Sequence, residues 1–141
     1  GALLNPYQVI MRGGPTEQIL NSLRVSKFSE PKVVQEVSDG ESLDLGVFKI
    51  KVCHAPGHTA GSTMFIVDDT YLISGDVLFK GAIGRTDMPS GSMSDMRKSL
   101  NEKVLTLPDE LIVLPGHGEQ TTIGRERKSN PYLQNDFLQG K

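Results

Sequence analysis

Three short segments carry side chains suited to chemistry: His54-Ala55-Pro56-Gly57-His58-Thr59, Ser74-Gly75-Asp76 and Pro115-Gly116-His117-Gly118. The first and last hold all three histidines of the chain. Each segment follows an apolar stretch, and a glycine directly precedes His58, Asp76 and His117. A strand gives a rigid base, and the glycine lets the backbone turn so that the next side chain points into a cleft. Two imidazoles and a carboxylate are borderline ligands suited to zinc, iron or manganese. A single histidine at a strand end is more often a satisfied core or surface residue. Three such residues after three apolar strands lower that expectation, and spacing alone leaves the two readings about even.

The elements that must position these residues read as follows. Residues 1–14 are irregular, broken at Asn5-Pro6 and Gly13-Gly14. Ile19, Leu20 and Leu23 predict a short helix over 15–23. Val33, Val34 and Val37 precede a turn at 38–41. Leu43 and Leu45 alternate with polar residues, and residues 47–54 alternate again, with Phe48, Ile50 and Val52 on one face of a half-buried strand. Residues 64–67 and 71–73 are too close for a crossover, so they predict an antiparallel pair. A glycine-rich loop covers 75–91. Ser92 or Ser94 caps a helix through Met96, Leu100, Val104 and Leu105, closed by Pro108. Residues 111–114 are wholly apolar and predict a strand buried on both faces. From Thr121 the chain reads as helix in two pieces, broken at Asn130-Pro131.

Composition narrows the classes. The chain has 141 residues, 15 Lys+Arg against 17 Asp+Glu, and a net charge of −2. That length suits one domain. The balance of charge argues against a nucleic-acid partner. One cysteine excludes an internal disulfide and an all-cysteine zinc site. Cys53 lies within a strand and reads as a buried thiol, not a nucleophile. Residues 125–128 read as a solvated helix face. No apolar run is long enough to span a bilayer and no leader is evident, so the expected location is the cytoplasm, without a membrane partner.

The three segments, in this order, resemble the second half of the metallo-β-lactamase superfamily, nearest to glyoxalase II-like (hydroxyacylglutathione hydrolase-like) single-domain hydrolases. Gly84-Arg85-Thr86-Asp87-Met88-Pro89 and the stretch from Thr121 to Tyr132 strengthen the resemblance, which covers roughly residues 33–135. It implies an α/β (α+β) fold, here one incomplete domain over 1–141: part of an αββα sandwich without its N-terminal strands. It also implies a centre of two divalent metal ions, zinc first, iron or manganese as alternatives. His58 matches a ligand of the first metal, Asp76 the aspartate bridging both, and His117 a ligand of the second. The family's remaining ligands come from an N-terminal His-x-His-x-Asp-His motif, and no histidine precedes residue 54 here. Two protein ligands per metal are fewer than zinc sites use. The chain alone is therefore expected to bind metal weakly or not at all, and to be inactive.

The implied activity is hydrolysis of a thioester or related small molecule by a metal-activated hydroxide, with Asp76 holding and orienting the centre. Arg85 matches a cationic position that faces the glutathione carboxylate, although an ion pair with Asp87 is an equal reading. His54, Thr59 and Ser62 are candidates for orienting the ligands from behind, and the two hydroxyls could equally stabilise a turn. Two family tyrosines are replaced, by Asp87 and Glu119. Two rival readings stand beside this one. One is an iron-dependent oxygen-using relative, such as a persulfide dioxygenase. The other is a non-catalytic half-domain whose bare sheet edge leads it to form a homodimer or swapped assembly.

Overall fold

The computed structural model describes residues 36–140. The expected irregular segment at 1–14, the helix at 15–23, and Val33 and Val34 lie outside them. The first described turn, at Asp39-Gly40, is closed by Glu41, whose N–H donates to the Ser38 carbonyl at 3.1 Å.

Six strands form one sheet: β1 (Ser42–Asp44), β2 (Lys49–His54), β3 (Thr63–Val67), β4 (Tyr71–Gly75), β7 (Ile112–Pro115) and β8 (Thr121–Thr122), in that spatial order. β1 to β4 run as an antiparallel meander, with Phe65 opposite Ile73 and Val67 opposite Tyr71 across the expected pair. β4 and β7 are parallel, and the connection between them holds a second, two-stranded sheet and a helix. That small sheet is β5 (Leu78–Phe79) with β6 (Ala82–Ile83). It lies inside the stretch read from sequence as loop, because two-residue strands show no periodicity.

The helix α1 (Met93–Ser99) starts where Ser92 Oγ accepts from the Asp95 N–H. Its last turn widens into a π-turn over Leu100–Val104, with the Leu105 N–H reaching back to the Leu100 carbonyl. Met96, Leu100 and Val104 are buried. The predicted helix at Thr121 begins two residues later, because Thr121 and Thr122 first pair with β7. The helix α2 (Ile123–Ser129) follows, then a 3-10 turn after Pro131 and the short α3 (Asn135–Leu138).

The core lies between one face of the sheet and these helices. Met64, Ile66, Leu72 and Val113 project from the sheet against Met96, Leu100, Ile123, Leu133 and Leu138. Alternation puts Phe65, Tyr71, Ile73, Ile112 and Leu114 on the opposite face. Tyr71 and Ile73 are exposed there, and Ile112 and Leu114 are half-buried. The strand at 111–114 is thus buried on one face among the described residues, not on both as expected. Phe48 precedes β2, in the exposed turn after β1, and Ile50 and Val52 lie opposite Val67 and Phe65 on the face away from the helices, while Cys53, opposite Met64, joins the core.

Candidate metal centre

Direction fixes where the three segments meet. β2 and β4 both run antiparallel to β3, so they point the same way, and β7 runs parallel to β4. The C-terminal ends of β2, β4 and β7 therefore share one edge of the sheet, and each is followed by one candidate ligand. In open α/β sheets this is the edge where ligands bind. Gly75 pairs with Pro115, so Asp76 and His117 leave the sheet side by side.

Asp76 is the hub. Its Oδ1 is 2.9 Å from His117 Nδ1, and its Oδ2 is 3.5 Å from His58 Nε2. The two imidazoles are held very differently. His58 Nδ1 is 2.7 Å from the Arg85 carbonyl. A carbonyl only accepts, so Nδ1–H donates and a neutral His58 presents a bare Nε2 lone pair toward Asp76. The His58 side chain is 17% exposed, and that of His117 is 77% exposed. His117 touches Asp76 through Nδ1 and stands edge-on to the Phe79 ring, with centroids 5.8 Å apart.

The donor set gives a direct test of metal fit. His58 Nε2 and Asp76 Oδ2 are two electron-pair donors facing each other beyond hydrogen-bond distance. A gap of 3.5 Å is what adjacent ligands of a tetrahedral zinc span with bonds of about 2.0–2.2 Å. Among the described residues, no three His, Cys, Asp or Glu side chains converge on one point. The residues present thus fit as part of a metal centre and do not close one alone.

Close packing keeps the hub in place. A Cβ on Gly84 would sit 1.8 Å from the Asp76 carbonyl oxygen and 3.2 Å from His58 Cγ. A Cβ on Gly116 would sit 3.0 Å from Asp76 Oδ1 and 3.0 Å from the Gly75 carbonyl oxygen. Ser74 is buried and donates to the Leu78 carbonyl at 2.7 Å, closing the turn that carries Asp76. Ser99 Oγ donates to the Pro56 carbonyl at 2.6 Å and ties α1 to the His58 loop.

The side chains of the other candidates lie around this hub and make no hydrogen bond to either of its imidazoles. Thr59 Oγ1 and Ser62 Oγ are 2.8 Å apart, and Ser62 Oγ accepts from the Thr59 N–H at 3.0 Å, so both brace the turn after His58. His54 Nε2 meets the Ala60 carbonyl at 2.8 Å, across the same loop. Asp39 holds the His54 N–H at 2.9 Å. The Asp39 carboxyl lies below its ordinary value through its hydrogen bond from Lys103, helped by that N–H. Arg85 Nε and a terminal guanidinium nitrogen grip the Asp87 carboxylate at 2.6 and 2.8 Å, while its main-chain carbonyl orients His58. Cys53 is buried, and burial pushes its thiol up, as expected of an inert thiol.

Residues 125–128 are not wholly a solvated face. Glu126 is fully buried, where its carboxylate accepts from Thr121 Oγ1 at 2.6 Å, the Gly81 N–H at 2.6 Å and Asn130 Nδ2 at 3.1 Å. Asn130 also donates to the Ala82 carbonyl at 3.1 Å. This clamp fastens the β5–β6 hairpin, and with it Phe79, to α2. Arg127 donates to the Leu105 and Leu107 carbonyls and pairs with Asp109 at 2.8 Å. A charged run gives no sign from sequence that two of its members turn inward.

A meander extended by a parallel strand, with His, Asp and His after three strands that end on one edge, defines a fold and edge that a family comparison can test. The chain belongs to the metallo-beta-lactamase superfamily, whose model matches residues 6–117. That match reaches further forward than the resemblance read from motifs. A relative from Mycobacterium leprae, an uncharacterized protein, is 51% identical over 110 residues, covering 76% of this chain and 50% of its own length. The hydroxyacylglutathione hydrolase GloC of Haemophilus influenzae is 46% identical over 96 residues, covering 67% of this chain and 45% of its own. The crystal structure of TTHA1623 in a di-iron-bound form superposes with a TM-score of 0.68 at 32% identity, over 93% of this chain and 64% of that one. The chain spans about half the length of the two curated relatives. Among the described residues, no helix is long and apolar enough to cross a membrane.

Proposed function

We propose that the protein carrying this chain is a metal-dependent hydrolase of thioesters. The observation that carries this reading is the division of one carboxylate between two imidazoles, Asp76 Oδ1 toward His117 and Oδ2 toward His58. Its kinship with the hydrolase GloC supports the choice of a thioester. Divalent metal ions held at these residues would supply a hydroxide at neutral pH and polarise the scissile carbonyl. His58 contributes a bare Nε2, because its Nδ1–H is committed to the Arg85 carbonyl. Asp76 contributes a fixed negative charge at the sheet edge, set by the Ser74 turn and the Gly84 contact. His117 completes the row from the far side, backed by Phe79.

The di-iron form of TTHA1623 favours a second reading with iron at these residues, for which we propose chemistry that uses oxygen. Anaerobically purified full-length protein separates the two. The expected result is zinc-supported release of thiol from a thioester with no oxygen consumed. Oxygen uptake by an iron-loaded sample, with no thioester cleavage, would establish the second reading in its place.

A further inference from the structure

Beside His117, away from His58, lies a cleft of about 450 Å³ whose wall includes Phe79, Lys80, Glu119, Arg125 and Ser129. The described part of the chain has four arginines. Arg85 is paired with Asp87, Arg97 donates to the Phe137 carbonyl, and Arg127 is fixed by Asp109 and two carbonyls. Among the described residues, only the Arg125 guanidinium has no hydrogen bond or ion pair, and it lines this cleft. On the same lining, Lys80 Nζ donates to Glu119 Oε2 at 2.6 Å.

We infer that Lys80 and Arg125, which line one cleft, form a seat for a carboxylate of the substrate, with Lys80 held in the free protein by the carboxylate of Glu119. This names a substrate class for the site just proposed and rests on that hydrolase reading. The Glu119 carboxylate shows that Lys80 takes a partner of this size and charge in the cleft. The Glu119 side chain is 78% exposed, so an incoming carboxylate can displace it into water at small cost. A guanidinium with no partner among the described residues can then grip the incoming group through two parallel hydrogen bonds. Glu119 is two residues from His117, so a substrate seated here lies alongside the metal-binding row.

The test uses the full-length protein and two thioesters, 3-(acetylthio)propanoate and its methyl ester, which differ only in the negative charge. The preference of the natural protein for the acid over the ester, as a ratio of kcat/KM, is expected to fall about tenfold in Arg125→Gln and in Lys80→Met. In Glu119→Gln it is expected to rise several-fold. A second arm needs no turnover. The thioether 3-(methylthio)propanoate should shift the Arg125 side-chain NMR signal saturably, and its methyl ester should not. An unchanged acid-to-ester ratio in the variants, or no shift with the thioether, overturns the seat even if thioesters are hydrolysed. No hydrolysis of either thioester, with the Arg125 signal still titrating, overturns the hydrolase reading and leaves the seat standing.

Discussion

The two sides of Asp76 are built on different plans. On the His58 side, the imidazole is mostly enclosed, a main-chain carbonyl fixes its tautomer, and Gly84 packs against the backbone that carries the carboxylate. On the His117 side, the imidazole is mostly in solvent, and its contacts are the carboxylate itself and one aromatic edge. One half of the row is thus set before any metal or substrate arrives. The other half is positioned at a distance, through the Glu126–Asn130 clamp that fixes the hairpin bearing Phe79. Rigidity at the His58 side lowers the cost of ordering a ligand there, and exposure at the His117 side leaves room for substrate.

The sharpest way to break this comparison is to remove the residue both sides share. Asp76→Ala in the full-length protein should lower affinity for divalent metal by more than about 100-fold, beyond the 10–100-fold that outer partners of ligands cost. Metal titration checks it, and a smaller loss would mean that Asp76 is no hub. Next comes Gly84→Ala, whose methyl would overlap the Asp76 carbonyl. The expected cost is about 3 kcal/mol or more, read as a fall in Tm on the order of 10 °C. Gly116→Ala, with its nearest atoms at 3.0 Å, should cost less than half as much. Equal losses would contradict the proposed inequality of the two sides.

Glu126→Gln tests the remote control of the His117 side. Its amide turns the Thr121 hydroxyl from donor to acceptor and replaces the carboxylate as partner of the Gly81 N–H and Asn130, at a cost of about 1–3 kcal/mol. Thermal unfolding reads that cost, and the His117 imidazole NMR signals should move while those of His58 stay in place.

A smaller effect is expected on the strand leading into the His58 loop. Lys103, the larger cause, and the His54 N–H hold the Asp39 carboxyl below its ordinary 3.8. A lowered folded-state value stabilises the protein above the unfolded value, and that contribution is lost as pH falls through the folded value. The gap in stability between the natural protein and Lys103→Met should therefore be present at neutral pH and close below about pH 4, in denaturant melts across that range. The smallest effect is expected from Arg85→Ala. The exposed pair with Asp87 is lost, but the carbonyl that orients His58 remains, so the His58 tautomer should not change by NMR.

The contrast also explains what was legible in the sequence. His58, Asp76 and His117 stood out because a glycine before a polar residue after an apolar run is a side-chain signal. The structure brings all three to one edge. The antiparallel pair and the α1 cap were equally plain, since both follow local rules. The Arg85 carbonyl left no trace, because every residue has one. The contact of Gly84 with Asp76 joins segments whose approach only the folded chain shows. Glu126 hid in a charged run, and β5–β6 in a loop too short for any period. The missing information was tertiary in each case.

The use of a main-chain atom behind His58 has an evolutionary consequence. Position 85 has two separable parts: a carbonyl tied to the chemistry and a side chain directed to solvent. Mutation can rewrite the second without touching the first. A lineage could therefore trial different residues at the rim of the proposed centre while its histidine keeps the same proton on the same nitrogen, so the side chain at this position is free to drift faster than the imidazole it borders.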